Sequence, residues 1–170
     1  MKKRVEKAKT SGLFWIWIAI AIIAFDRLSK LYIASSLMLA EPLRILPILN
    51  FTLAYNRGAA FSFLHNASGW QNIFFTTLAC IVSVIIIAWL YRVSRRDWWS
   101  CIGLNLVLGG AIGNAWDRLQ YGYVIDFIHF HLGNWSFAIF NVADSAICVG
   151  ATMLILCWVW QQRVEGVKNA

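Results

Sequence analysis

Four long apolar segments are the feature that most constrains how this chain of 170 residues can fold. They cover residues 13–33, 73–91, 99–116 and 140–160. Each is close to the roughly 20 helical residues that cross a hydrocarbon core about 30 Å thick. Only 14% of the residues are charged, well below the roughly 25% typical of soluble domains. The sequence therefore predicts one integral membrane domain over residues 1–170, an all-α bundle of four transmembrane helices.

The first apolar segment could also be a cleavable secretory signal, because basic residues precede it and small residues follow it. Two features argue against that alternative. The segment is long and runs into Asp26, Arg27 and Lys30 before any small-residue cleavage site, and three more apolar segments come after it. We therefore expect a retained membrane helix.

Positive charges predict the orientation. Ten of the fifteen Lys and Arg residues lie before the first segment, in the loop 92–96 or after the fourth segment. With four spans these regions share one side, and an excess of Lys and Arg in short loops is typical of the cytoplasmic side. Both termini are therefore expected in the cytoplasm. This topology accounts for the net charge of +7, so the charge does not indicate a nucleic-acid partner.

Two connections, about 34–72 and 117–139, then lie on the outer side. Both are rich in Ile, Phe, Tyr and Val with partial alternation, and both contain turn signals such as Pro47 and Gly133. Such stretches favour short strands. We therefore predict short strands that lie on the outer face of the membrane.

Cysteine and histidine give little sign of metal or redox chemistry. The four cysteines are scattered without a CxxC pair, and we expect each to be a buried apolar residue: Cys80, Cys101, Cys148 and Cys157. His129 and His131 share one face of a predicted strand, but no third ligand stands at a recognisable spacing. No metal or other cofactor is expected.

The carboxylates carry the strongest functional signal. Four of the eight acidic residues fall at one level, near the outer ends of the predicted spans: Asp26, Asp117, Asp126 and Asp144. Ionisable groups at such depth are costly, so they usually face the interior of a bundle, find partners and serve function. Other polar residues gather at the same level: Asn56, Asn114, Arg118 and Asn141.

Some of these residues have an evident structural role. Asp26 and Lys30 are spaced i,i+4 with the acid first, so they can form an ion pair on one helix face. Asp117 is predicted to pair with an arginine such as Arg118 or Arg57. The glycines at 109 and 113 have the spacing that lets two membrane helices approach closely.

Asp126 and Asp144 remain without a cation nearby in the sequence. Two carboxylates brought together tend to share one proton, which gives an acid and a base. Such a pair can activate water against an amide and protonate the leaving nitrogen. Asp144 stands one turn inside a predicted helix, where the positive helix end favours its ionised form. On these grounds alone the pair could equally serve a proton or ion pathway.

Five motifs together resemble the lipoprotein signal peptidase family, signal peptidase II. They are DRLSK (26–30), YNRGAAFSF (55–63), GGAIGNAWDRL (109–119), VIDFIHF (124–130) and FNVADSAI (140–147). The resemblance implies a membrane aspartyl endopeptidase that removes the signal peptide of prolipoproteins just before a diacylglyceryl-modified cysteine. It implies a helical bundle with a small sheet on the periplasmic surface, in the bacterial inner membrane, with the active site near the outer leaflet.

By motif, the resemblance makes Asp126 and Asp144 the catalytic pair. It implies that further residues line or support the site: Asn56, Gly58, Asn114, Arg118, Asn141, Asp26, Lys30 and Asp117. Arg27 departs from the family, which often has Gln there, and is expected to add a charge near the mouth of the site without touching the pair.

The alternative hypothesis is a small proton-coupled transporter or channel that uses the same acids as a relay. Transporters more often place such residues near the membrane midplane and contain repeated halves, and no repeat is visible here. A purely structural membrane subunit would leave Asp126 and Asp144 unexplained. The expected partners are a lipid-modified prolipoprotein and membrane lipids, and the protein is expected to act as a monomer.

Overall fold

The computed structural model describes residues 10–58, 70–133 and 135–168. The basic residues before position 10 and the second half of the motif YNRGAAFSF lie outside these ranges.

Four long helices form the body of the protein. They are α1 (Ile16–Ser36), preceded by one 3₁₀ turn, α2 (Trp70–Arg92), α3 (Trp98–Tyr121) and α4 (Val142–Lys168). Three stretches of the described chain are long and apolar enough to cross a membrane: Gly12–Ser36, Trp70–Arg92 and Val142–Val164. The prediction of a mostly helical membrane protein is confirmed to that extent.

Helix α3 is the centre of the bundle and packs against α1, α2 and α4. More than half of its residues are buried, including several glycines and asparagines. Because its neighbours are helices on several sides, it can be less apolar than a helix that faces lipid. This explains why α3, which was predicted as a span, is not among the three helices that are long and apolar enough to cross a membrane.

Glycines on α3 allow the close packing. A Cβ at Gly109 would lie 2.9 Å from the Ala19 carbonyl oxygen of α1, and one at Gly113 would lie 2.9 Å from Asp26 Oδ2. The predicted packing role of these two glycines is confirmed. Helix α3 is capped at its C-terminus by Gly122, which has φ 79° and donates its N–H to the Arg118 carbonyl. The helix thus extends past the predicted third span and includes Asp117.

The predicted small sheet is confirmed as four antiparallel strands in chain order. They are β1 (Pro42–Leu46), β2 (Leu49–Asn56), β3 (Val124–Leu132) and β4 (Trp135–Ser136). Leu53, Ile125 and Phe127 of the sheet form a buried cluster with Ile33 at the end of α1. This cluster fixes the sheet against the bundle, and the β2–β3 register places Asn56 opposite Val124.

The prediction that every cysteine is buried is wrong for two of them. Cys101 is buried and Cys157 is half-buried, but Cys80 and Cys148 are exposed, and all four are free thiols. The apolar helices also expose many large side chains, such as Tyr32 and Ile73. In a membrane, an apolar helix surface can face lipid instead of protein, so a hydrophobic sequence does not distinguish the two environments.

Candidate active site

Asp126 and Asp144 line one cavity of about 430 Å³ between the sheet, α3 and α4. Six of the predicted site residues line it: Asn56, Gly58, Asn114, Arg118, Asp126 and Asp144. An apolar part of the wall was not predicted from the sequence; it consists of Val124, Phe137, Ala138, Ile139, Phe140, Ile147 and Cys148. The run FAIF just before Asn141 was its only signal.

The start of α4 positions Asp144. Asn141 precedes the helix, and its Oδ1 accepts a hydrogen bond of 2.9 Å from the Asp144 backbone N–H. In return, Asp144 Oδ2 accepts one of 3.2 Å from the Asn141 backbone N–H. This reciprocal capping holds the carboxylate in the first helical turn, at the positive end of the helix dipole.

Asp126 lies on β3 and is held by two neutral amides. Asn56 Nδ2 donates to its Oδ2 at 3.0 Å, and Asn141 Nδ2 donates to its Oδ1 at 2.7 Å. The side chain is only 2% exposed. Burial, and next the charge of Asp144, raise the pKa of Asp126 to about 7, although both amide hydrogen bonds act in the other direction. This carboxyl group can therefore hold a proton near neutral pH.

Asn114 connects the two acids to the buried Lys30. Its Nδ2 donates to Asp144 Oδ1 at 2.7 Å, and its Oδ1 accepts from Asn141 Nδ2 at 3.1 Å and from Lys30 Nζ at 3.2 Å. Each of the four carboxylate oxygens of Asp126 and Asp144 thus accepts a hydrogen bond from an amide group. Asn141, which is fully buried, contacts both acids and connects them.

A buried charge cluster lies behind this network. Lys30 Nζ is 2.7 Å from Asp26 Oδ2 and 2.9 Å from Asp117 Oδ2. The Asp26–Lys30 pair predicted from the i,i+4 spacing is confirmed. Arg27 Nη1 lies 3.0 Å from Asp117 Oδ1, and its Nη2 donates to the Tyr121 hydroxyl. Two acids and two cations balance, as buried charges require.

The cluster also holds the elements that carry the catalytic candidates. Asp26 Oδ1 accepts a hydrogen bond of 2.8 Å from the backbone N–H of Ala143, at the start of α4. Asp117 Oδ2 accepts one of 3.2 Å from the backbone N–H of Ile125 on β3. Asp26 and Asp117 therefore support the site through the backbone next to Asp144 and Asp126.

Two predictions about arginines are wrong. Asp117 pairs with Arg27 and Lys30, not with Arg118 or Arg57, because its partners come from α1 and not from its own surroundings in sequence. Arg27 is accordingly a partner of a buried acid, not a charge added near the mouth. Arg118 lies over the Phe75 ring at 5.1 Å, and among the described residues it donates long hydrogen bonds of 3.4 Å to the Asn114 carbonyl and 3.5 Å to the Gly58 carbonyl.

His129 and His131 do not line this cavity. The ring nitrogens of His129 contact Thr52 Oγ1 at 3.3 Å and Ser136 Oγ at 2.6 Å. Within the described ranges, no three His, Cys, Asp or Glu residues are grouped so that they could hold a metal ion. A second cavity of about 520 Å³, next to the N-terminus of α3, contains one carboxylate, Asp97, which caps that helix.

Comparison with known proteins identifies relatives of this chain. The sequence model of the family described as "Signal peptidase (SPase) II" matches residues 18–160. A lipoprotein signal peptidase of Coxiella burnetii (strain Dugway 5J108-111) is 53% identical over 152 residues, which are 89% of this chain and 93% of the relative. One from Pseudomonas syringae pv. tomato (strain ATCC BAA-871 / DC3000) is 50% identical over 146 residues, 85% of this chain and 84% of the relative.

Solved structures agree with these relatives. A bacterial membrane enzyme determined by the in meso method at 2.3 Å resolution superposes with a TM-score of 0.79 at 29% identity, over 88% of this chain and 89% of the other. A second, at 1.9 Å resolution, gives 0.77 at 27% identity, over 85% and 92%. Because the family match covers most of the sequence and the two relatives are 53% and 50% identical, this chain belongs to the signal peptidase II family, the lipoprotein signal peptidases.

Proposed function

We propose that this protein is a membrane-embedded aspartyl endopeptidase with Asp126 and Asp144 as its catalytic pair. It removes the signal peptide of prolipoproteins just before the diacylglyceryl-modified cysteine. The name of its relatives, lipoprotein signal peptidase, supports the substrate class. The observation that carries the assignment of residues is that both carboxylates line one cavity and are joined by one buried residue, Asn141. Its side-chain NH₂ group donates to Asp126, and its backbone N–H donates to Asp144.

The two acids have different environments, which supports different roles. Asp144 lies in the first turn of α4, where the positive helix end favours a carboxylate, and both of its oxygens accept hydrogen bonds from amide groups. Asp126 is held by neutral amides and repelled by the charge of Asp144, and its pKa is about 7. Asp126 therefore holds the shared proton in the resting enzyme, and Asp144 is the base.

Hydrolysis then needs only water and these two groups. Asp144 takes a proton from a water molecule whose oxygen attacks the scissile carbonyl carbon, while Asp126 gives its proton to the carbonyl oxygen. When the tetrahedral intermediate collapses, Asp126 takes a proton back from a hydroxyl group, and Asp144 gives its proton to the leaving nitrogen. The products are a signal peptide with a free carboxylate and a lipoprotein with a free amino-terminal cysteine.

The rest of the cavity suits a lipidated peptide. Its apolar wall, which includes Phe137, Ile139 and Phe140, can contact acyl chains or apolar side chains. Arg118 lines the cavity, its hydrogen bonds to described residues are long, and its guanidinium group can offer donors to peptide carbonyls. Asn56, Gly58 and Asn114 complete the polar side. Because the lipid anchors the scissile bond near the headgroups, membrane attachment orients it and reduces the entropic cost of attack.

The topology we propose has four spans, with α3 as the buried central one and both termini in the cytoplasm. The basic connection between α2 and α3 supports this orientation, because Arg92 ends α2 and Arg95 and Arg96 follow in the loop. The dyad then lies at the outer leaflet of the bacterial inner membrane, below the sheet. The enzyme works as a monomer among membrane lipids and without a cofactor.

Reconstitution with lipidated and unlipidated prolipoprotein tests this function. We expect cleavage of the lipidated substrate, unaffected by a metal chelator, and no cleavage after Asp126→Asn or Asp144→Asn, because Asn keeps the shape but cannot exchange a proton. Asp97→Asn is the matched control, since Asn also caps helices well and should preserve activity. Normal turnover by either dyad variant would refute the assignment. The comparisons do not support the alternative hypothesis of a transporter. Proton flux without cleavage of the substrate would favour that alternative.

A further inference from the structure

We propose that Lys30 is a positioning residue for the reaction: acting through the amide of Asn114, its buried ammonium group keeps Asp144 as the member of the pair that lacks the proton. This inference rests on the proposed dyad and adds a residue that touches neither acid.

The hydrogen bonds of Lys30 are fully used. Its side chain is 0% exposed, and its nitrogen lies 2.7 Å from Asp26 Oδ2, 2.9 Å from Asp117 Oδ2 and 3.2 Å from Asn114 Oδ1. An ammonium group has three donors and no acceptor. Three oxygen atoms therefore match the three hydrogens of the charged form, and the third hydrogen points into the active-site network.

The contact with Lys30 determines which way the Asn114 amide points. Asn114 Oδ1 faces two donors, Lys30 Nζ and Asn141 Nδ2. If the amide were reversed, its NH₂ group would face both of them. The orientation of Asn141 is itself fixed, because its Oδ1 accepts the backbone N–H of Asp144. The Asn114 NH₂ group is thus directed at Asp144 Oδ1, at 2.7 Å.

Lys30 and Asn141 both donate to Asn114 Oδ1, and Lys30 is the charged donor of the two. Hydrogen bonds from a charged donor are roughly twice as strong as those between neutral groups. A firmly directed NH₂ group stabilises a carboxylate and opposes a proton on the oxygen that it contacts. The positive charge of Lys30 also attracts both carboxylates directly, so the choice between them comes from the directed amide. Both effects favour the ionised form of Asp144.

Anchoring of α1 to α3 does not by itself require the contact with Asn114. Asp26 and Asp117 already hold Lys30, and Arg27 gives Asp117 a second partner. Arg27 belongs to the same cluster, but its hydrogen bonds go to Asp117 and to the Tyr121 hydroxyl, and its side chain is 23% exposed. Arg27→Gln is therefore the control variant for an effect on stability alone.

The test is Lys30→Met in an Asp26→Asn background, compared with Asp26→Asn alone. The pair of changes removes one positive and one negative charge and leaves the Arg27–Asp117 ion pair in place. Cleavage of a lipidated substrate is followed between about pH 5 and 9 in lipid, and thermal unfolding is measured on the same samples.

We expect Lys30→Met to lower kcat about tenfold while KM stays within about threefold, because the change affects the reacting pair and not substrate contacts. The acidic limb of the kcat profile should move up by about one pH unit, since the base is then protonated more easily. Arg27→Gln should lower the melting temperature and leave that limb within about 0.3 pH unit, because partly exposed charges are screened.

A double-mutant cycle checks the route of the effect. If Lys30 acts mainly through Asn114, then Lys30→Met should shift the acidic limb by less than half as much once Asn114→Ala is present, because only its direct charge attraction remains. An equal shift in both backgrounds would overturn the proposed route through the amide.

Other outcomes also refute the inference. A folded Lys30→Met variant whose pH profile matches that of Asp26→Asn would mean that Lys30 is only structural. The same conclusion follows if Lys30→Met, Lys30→Gln and Lys30→Arg all fail to fold while Asp26→Asn and Arg27→Gln do fold. Failure of the dyad itself is distinguishable, because it would appear as cleavage by Asp126→Asn or Asp144→Asn.

Discussion

Gly110→Ala should test whether the start of α4 must lie where it does for the two acids to meet. Gly110 is on α3, and a Cβ built there would lie 2.3 Å from the Ala143 carbonyl oxygen and 2.7 Å from Ile147 Cγ1. Ala143 directly precedes Asp144. The helix that carries the proposed base is thus the group that must move.

The size of the effect follows from that contact. The distance from Cβ to the carbonyl oxygen must grow from 2.3 Å to at least 3.0 Å, so the start of α4 has to shift by about 0.7 Å or more. Overpacking of this kind costs about 1–3 kcal/mol of unfolding free energy, and the better helix propensity of Ala returns up to about 1 kcal/mol. A displacement near 1 Å at a reacting group can lower the rate about 100-fold. Activity should therefore fall much more than stability.

The assay compares kcat and the melting temperature of Gly110→Ala with those of Gly103→Ala. Gly103 also faces α4, but its Cβ would lie 3.1 Å from the Gly150 carbonyl oxygen and from Leu154, contacts that a few tenths of an ångström relieve. Gly103→Ala should keep cleavage within about threefold of wild type. If Gly110→Ala cleaved as fast as Gly103→Ala, the position of α4 would not limit catalysis and the reasoning would fail.

Three further predictions concern charge. Cleavage should decrease as the pH rises through about 7, because the pKa of Asp126 lies there and its proton is then lost; a rate that is flat from about pH 6 to 9 would contradict this. A raised pKa in the folded state also means that Asp126 stabilises less as pH rises from about 4 to 7. Asp126→Asn, although inactive, should therefore melt at a higher temperature than wild type at pH 8, and its free energy of unfolding should be greater by on the order of 1–3 kcal/mol. Equal stability at pH 8 would argue against a carboxylate whose ionised form is disfavoured by burial. Arg27→Gln should cost about 1–3 kcal/mol in thermal unfolding, less than the full loss of a buried pair because Lys30 still contacts Asp117.

Patterns along single elements were sufficient for much of this molecule. The apolar segments predicted the helices, the β-branched and aromatic connections predicted the sheet, and the i,i+4 spacing predicted the Asp26–Lys30 pair. Contacts between elements were harder to predict. Arg27 and Asp117 are 90 positions apart, and no helical spacing rule relates them.

Gly110 illustrates the same limit within one helix. The GxxxG spacing identified Gly109 and Gly113, which approach α1. Gly110 is one residue further, about 100° around the helix, and approaches α4 instead. A small-residue pattern states that something packs closely but not which helix does. The exposed cysteines, Cys80 and Cys148, have an equivalent cause, because apolar character suits lipid and protein neighbours alike.

The backbone between Asp126 and Asp144 explains why these two acids, 18 positions apart, meet at one cavity. After β3 the chain turns back through β4, and Phe140 pairs with Ile128: the Phe140 N–H donates to the Ile128 carbonyl at 3.0 Å, and the Ile128 N–H to the Phe140 carbonyl at 2.7 Å. This places Asn141, the next residue, beside Asp126, where its side-chain NH₂ group donates at 2.7 Å. Because Asn141 also caps α4, Asp144 is one turn away and its carboxylate accepts the Asn141 backbone N–H. The site thus depends on one short return of the chain, and a change in the pairing at Phe140 would separate the acids without altering either of them.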